Sequence, residues 1–399
     1  MIDTAEYVVS TDGDDSNDGS ESAPLATVHE AVSRVEAGES IYIHGGEYQY
    51  ENGTPVEIET SGSEADPITI SGDPNDRPRL QWEGGSSEWE ITGGLHFLED
   101  AAPEHWVVEN LEISECSSVA IRSHTGGNFT FRNLDLHDNG NSGIHISDGE
   151  NVEIRNVASY NNHDPATGGE DADGIVLSGV NNGRIVDCEC YNNSDDGVDL
   201  WTSTNIVIRD TVCYDNGYDS NGDGNGIKSA NTDSGGGNTF IRCVTYGNST
   251  KGFRFYSPEG DTLINCTAYN NDGYGIAGAF GGDHEVYNCL SYGNNGGEET
   301  LHDGVTSESN LWDLDSTDPG FVSTDRSDSD FLRLRDDSPA IDAGRPLEAV
   351  DYSGDAPDLG AYEYGTSENS DDTDSSEWGP VGVYYHDGTG FVEMTIKST

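Results

Sequence analysis

The chain has 399 residues, with 76 Asp and Glu against 17 Lys and Arg and a formal net charge of −59. That balance excludes nucleic acid and anionic membranes as partners, because both would be repelled. The apolar residues recur in register, which excludes a disordered polyanion, and 51 Gly ask for many turns.

Residues 7–10 read as a strand followed by an acidic Gly/Asp/Ser turn. A helix is predicted over 26–37, with Val28, Ala31, Val32 and Val35 on one face and Gly38 as its stop. Such a helix would cap the open end of a coil of stacked strands, whose bare edges invite aggregation. Segments 41–43, 56–58 and 68–70 supply irregular first coils, so 1–105 reads as an N-terminal cap with its opening turns.

From 106 to 295 the pattern becomes regular. An aromatic-x-Asn element ends on Asn139, Asn162, Asn193, Asn216, Asn248, Asn271 and Asn294, at steps of 23, 31, 23, 32, 23 and 23 residues. Cys116 holds the equivalent place one step earlier. A period in the twenties built from short alternating segments is the signature of a β-solenoid. Positions five and three before each Asn are small or apolar, among them Leu134, Val157, Cys188, Cys190, Cys213, Cys243, Cys266 and Cys289. These columns predict the inside of an all-β, right-handed parallel β-helix, and they make the seven Cys buried hydrophobes rather than a disulfide framework. The Tyr column at 160, 191, 214, 246, 269 and 292 is read as a structural stack, and the Asn column as amides satisfying a tight turn.

The two long steps exceed the period by 8 and 9 residues, at about 163–172 and 217–224. Insertions in a solenoid become loops on one side, frequently the binding side. A second mark, Gly followed by an apolar residue, places His145, Val176, Asp199, Lys228, Arg254 and Ala277 in one outward column. The residues before each Gly give a neighbouring column, Ser142, Asp173, Asp196, Asn225, Lys251 and Tyr274. Acidic pairs such as Asp195-Asp196 are inevitable in so acidic a chain; registry with Asp173, and a Lys one coil along, single this pair out. Carboxylates at 173, 195, 196 and 199 would raise one another's pKa unless a cation sat among them, and an all-oxygen set favours Ca²⁺. The same carboxylates would push Lys228 upward, so it can serve as a base only when they are neutralised. His145 adjoins this column and is read as a surface residue.

Residues 296–365 lose the period and read as an irregular C-terminal cap folding back on the solenoid. An acidic linker over 366–377 and a hairpin-like tail over 378–399 follow.

The Asp of Ala172-Asp173-Gly174, the string Asp195-Asp196-Gly197-Val198-Asp199 and the string Asn225-Gly226-Ile227-Lys228, in this order, resemble the family 9 polysaccharide lyases, a pectate lyase family. Ser338-Pro339-Ala340-Ile341-Asp342 is similar to terminal segments common in such β-helices. The resemblance implies Ca²⁺ held by Asp173, Asp195, Asp196 and Asp199, and Lys228 as the base that abstracts the C5 proton of a uronate ahead of β-elimination. Arg254 stands where relatives carry a Gly-Phe-Asp type string, which points to a different substrate; its expected role is to orient the carboxylate or stabilise developing charge. The expected partner is an acidic polysaccharide, pectate before alginate or another uronan, and the protein is expected to be a monomer. No signal peptide opens at Met1-Ile2-Asp3, yet a polymer substrate implies secretion, and the acid coat implies a halophilic source. A glycosidase using paired carboxylates and a non-catalytic, calcium-stabilised surface or carbohydrate-binding protein remain as other readings.

Overall fold

A computed structural model of the protein describes residues 5–84, 93–229, 233–279, 281–315 and 317–366, together with the backbone of 383–386 and 391–394. The chain winds into a right-handed parallel β-helix. One wall is a stack of ten parallel strands, running from Val56–Ile58 through Ile144–Ser147, Ile175–Ser178, Val198–Trp201, Ile227–Ser229 and Phe253–Phe255 to Gly297–Leu301. The other walls come from longer strands such as Gly126–His137 and Gly149–Tyr160, which pass through a corner without a break and pair in parallel.

The corners follow from local chemistry. Asn110, Asn133, Asn156, Asp187, Asp210, Asn265 and Asn288 all take left-handed backbone, with φ between 50° and 59°, which Asn and Asp tolerate best among residues with a side chain. Arg242 occupies one such corner at φ 51° and clamps Asp210 through two hydrogen bonds of 2.7 Å. At the next corner a left-handed residue (Asp138, Asn161, Asn192, Asp215, Asn270) turns the chain so that the following Asn points inward. Each buried amide then bonds the next coil: Asn193 Nδ2 donates to Asn216 Oδ1 at 3.0 Å, and Asn216 Nδ2 to Asn248 Oδ1 at 3.0 Å. Cys116 starts this ladder, its N–H donating to Asn139 Oδ1 at 3.1 Å.

Inside, the columns named from the sequence are buried, and all seven Cys are free thiols. Outside, His137, Tyr160, Tyr191, Tyr214 and Tyr246 stack at centroid spacings of 4.7–4.8 Å. That spacing is the rise between coils, so the ladder is structural.

The N-terminal helix is shorter than predicted, Val28–Arg34, capped by Thr27, whose side chain accepts from Glu30 N–H at 3.2 Å. It ends early because Val35 turns extended (ψ 138°) to feed strand Ser40–Ile43; Gly38, at φ +83°, serves that turn rather than stopping the helix. The coil runs past the expected boundary at 295, since Gly297–Leu301 and Thr306–Glu308 still pair in parallel with the coil before them; the irregular cap is therefore 311–366 rather than 296–365, and among its described residues it has one short 3₁₀ turn, Leu311–Asp313. Its Phe321, Leu334, Ala340 and Leu359 pack on Val244 and Leu290 of the coil. Asn265 Nδ2 donates to Asp358 O at 2.8 Å, fastening cap to corner. Val383–His386 and Phe391–Met394 pair antiparallel; their turn and all of the expected 366–377 linker except residue 366 lie outside the described residues.

Candidate active site

Parallel pairing fixes the register of the outward column. Val176 pairs with Asp199, Asp199 with Lys228, Lys228 with Arg254 and Arg254 with Ala277. Side chains paired on successive parallel rungs share one face of the sheet, which makes them neighbours in space. The column before each Gly is a hydrogen-bonded ladder of its own. Asp173 N–H donates to Ser142 Oγ at 3.2 Å, Asp196 N–H to Asp173 Oδ1 at 3.0 Å, and Asn225 N–H and Nδ2 to Asp196 Oδ1 at 2.6 and 2.8 Å. One oxygen of Asp173 and one of Asp196 are thus committed to the fold, and the second oxygen of Asp196 lies buried against Lys228 Nζ.

Asp173, Asp196 and Asp199 converge, each offering an oxygen within 4.8 Å of the others. Asp195 lines the same cleft but turns aside from that trio, its Oδ1 accepting a short hydrogen bond from Asp223 N–H. Lys228 Nζ lies 3.1 Å from Asp196 Oδ2, 3.0 Å from Asp199 Oδ2 and 3.1 Å from Asp223 Oδ2. The contact to Asp196 is an ion pair without hydrogen-bond alignment, so Asp196 Oδ2 and Asp199 Oδ1 remain buried acceptors with no hydrogen bond.

Burial dominates the charge states. It raises Asp173, helped by Asp195 and Asp196; it lifts Asp195 to about 9, with Asp196 adding to the rise; and it lifts Asp199 to about 6 against the pull of Lys228. For Lys228, burial alone would lower the pKa, but Asp196, Asp199, Asp173 and Asp223 outweigh it and hold the ammonium well above its ordinary value. This is the direction expected of an unloaded cluster. Arg254 does not offset it, because its Nη1 is engaged with Asp223 Oδ2 at 2.8 Å.

The cleft, about 450 Å³, is lined by Asp173, Asp195, Asp199, Asp223 and Lys228 with His145, Asp171, Trp201 and Asn221; Arg254 reaches it through its bond to Asp223. The two insertions meet at its rim: His163 Nε2 is 2.7 Å from Asp219 Oδ2, and Asn221 N–H donates to Gly168 O at 3.1 Å. Asp223 was missed by the sequence reasoning, since nothing distinguishes one more acid in an aperiodic loop. Trp201, 44% exposed with its ring 5.8 Å from Lys228 Nζ, was missed too. His145 is not a surface residue. It is half-buried in the cleft wall, and burial, Arg122 and His124 lower its pKa to about 3.

The donor set fits a divalent cation: three converging carboxylates, hard oxygen ligands only, and two buried oxygens without hydrogen bonds.

Coil and cleft together define a right-handed parallel β-helix of the polysaccharide-lyase type. The chain belongs to the Pel9A-like family, whose right-handed β-helix region matches residues 7–295. Among solved structures it is similar to pectate lyase Pel9A, at 26% identity and a TM-score of 0.76, over 91% of this chain and 98% of that one. A rhamnogalacturonan lyase (21%, TM-score 0.65, 84% and 97%) and an alginate lyase from Paenibacillus sp. str. FPU-7 (14%, TM-score 0.54, 71% and 95%) share the fold. No curated protein sequence matches the chain. The resemblance to family 9 polysaccharide lyases therefore holds.

Proposed function

We propose that the protein is a secreted, calcium-dependent lyase that cleaves a uronic-acid polymer, pectate first among them, by β-elimination. The observation that carries this reading is the placement of a buried carboxylate trio, Lys228 and Arg254 on consecutive rungs of one wall, beneath two insertion loops. Asp173, Asp196 and Asp199, with Asp195 from the same cleft, would hold the Ca²⁺. When bound, the ion would neutralise these carboxylates and act as a Lewis acid toward the sugar carboxylate.

Lys228 is the group placed to accept the proton from the carbon next to that carboxylate. The C–H electron pair passes into the carbonyl system and then into a C4–C5 double bond as the C4–O bond breaks, and the departing sugar oxygen is protonated from solvent. Arg254, 25% exposed at the cleft edge, orients the carboxylate through its planar fork. Trp201 offers an apolar face to a pyranose ring.

The similarity to pectate lyase Pel9A supports pectate as the first substrate to try. The test is a panel of uronans, pectate and alginate among them, followed at the ultraviolet band of the 4,5-unsaturated product, with calcium and then with chelator. Chelator-sensitive product from one uronan is expected. Reducing ends without the ultraviolet band would replace elimination by hydrolysis, and binding without turnover would leave a non-catalytic β-helix.

A further inference from the structure

Three carboxylates surround Lys228, and they are not equivalent. Asp196 and Asp199 come from the wall and are buried, with 0% and 11% side-chain exposure. Asp223 comes from the second insertion and is half exposed. Lys228 donates a hydrogen bond to Asp199 and lies in ion-pair contact with Asp196 and Asp223, so its charge is already matched by the chain's own carboxylates. Asp223 also occupies Arg254: a single oxygen, Oδ2, lies 3.1 Å from Lys228 Nζ and 2.8 Å from Arg254 Nη1. One carboxylate oxygen bridging the two cations of the cleft is the contact an acidic sugar would be expected to make there.

The loop holds that carboxylate in place from both sides. Asp223 N–H donates to Asp195 Oδ1, and its carbonyl accepts from Thr250 Oγ1. The grip is made of side-chain contacts at the cleft mouth rather than rung pairing, so releasing it leaves the coil intact.

We propose that Arg254, beside Lys228, is the group that recognises a sugar carboxylate, and that Asp223 is an internal occupant of that subsite which the substrate must displace. This rests on the lyase reading for the identity of the ligand. Displacement has a thermodynamic consequence: affinity is reduced by the fraction of molecules whose subsite is free. If the Asp223 contact is made about nine-tenths of the time, breaking it raises apparent affinity about tenfold. Neutral sugars, which cannot replace the lost charge contacts, gain nothing.

The test compares the full chain with Asp223→Asn and Asp223→Ala. First, D-galacturonate and D-galactose are titrated by calorimetry into each protein in chelator, with no turnover required. Galacturonate affinity is expected to rise about tenfold in both variants, to be lost again when Arg254→Ala is added, and galactose affinity to stay put. Second, KM for the cleaved uronan is expected to fall about five- to tenfold, with calcium affinity unchanged. Unaltered or weaker galacturonate binding overturns the proposal, as does a fall in calcium affinity of more than about fivefold, which would make Asp223 a metal ligand. If no uronan is cleaved by any form, the lyase reading fails while the galacturonate titration still decides the subsite.

Discussion

Replacing Lys228 by Met keeps the side chain's length and removes its charge, which separates what the ammonium does for the fold from what it does for turnover. Its side chain is 7% exposed and faces two buried carboxylates at 3.0 and 3.1 Å. By Coulomb's law at an effective dielectric of about 20, each such contact is worth roughly 5 kcal/mol before the cost of desolvation. The half-exposed Asp223 adds little to that. After desolvation, removing one partner of a buried ion pair costs about 3–5 kcal/mol, and that is the loss expected for Lys228→Met in chelator at neutral pH. Calcium should return most of it, because a divalent ion supplies the charge the same oxygens have lost, so calcium should raise the variant's melting temperature more than the wild type's. The assay is urea and thermal denaturation of both proteins in chelator and in saturating calcium, alongside turnover on the cleaved uronan. A variant within about 1 kcal/mol of wild type in chelator, or stabilised by calcium no more than wild type, would refute the electrostatic argument. A variant that still generates the unsaturated product would refute Lys228 as the base.

Stability without calcium should fall as pH rises. Asp199 and Asp195 are lifted to about 6 and about 9, so their contribution is complete below the ordinary carboxylate range and is lost progressively up to about pH 9. Melting curves in chelator from pH 4 to 9 should show that decline, and it should flatten in Asp195→Asn or when calcium is added. Asn216→Ala deletes a buried amide that accepts from Asn193 and donates to Cys190 O and Asn248; at about 1–3 kcal/mol for each buried group left unsatisfied, a loss of at least about 3 kcal/mol is expected in urea denaturation. Raising salt from about 0.1 to 1 M shortens the screening length from about 10 to 3 Å, so the melting temperature should climb steeply, and a flat response would contradict the acid coat as the destabilising term.

The fold was legible because a solenoid writes its register into the sequence. Counting from one Asn to the next placed Asp199, Lys228 and Arg254 on successive rungs, and the observed pairing is the same. The inner thiols and the tyrosine stack were legible for the same reason. Features without a period escaped. Phe331 of the cap lies edge-on to Tyr246 and Tyr269, with centroids 5.0 and 6.1 Å away, long-range contacts that no repeat announces. Asp223 reaches Lys228 from a loop whose course depends on the other insertion. The aim of Asp195 toward a loop N–H rather than the carboxylate trio is a matter of rotamer, which spacing along a strand does not determine.

The cleft also resolves an apparent conflict between the protein's charge and its proposed substrate. A net charge of −59 repels a polyuronate at long range, and Lys228 and Arg254, two of only 17 Lys and Arg, are held by the chain's own carboxylates. Recognition of an anion here therefore needs two separate neutralisations. Salt weakens the long-range term, because it cuts the reach of exposed charges to a few ångströms. It does little for the buried contacts of 3 Å, which exclude mobile ions; in the function proposed above, those are rearranged by a divalent ion taking Asp173, Asp196 and Asp199, and by a sugar carboxylate taking the place of Asp223. Lys251, which precedes Gly252 on the adjacent rung, has its pKa lowered chiefly by burial, with Arg254 adding to the fall against the upward pull of Asp223 and Asp196. The acid coat and the anion site can thus coexist on one coil because they act over different distances.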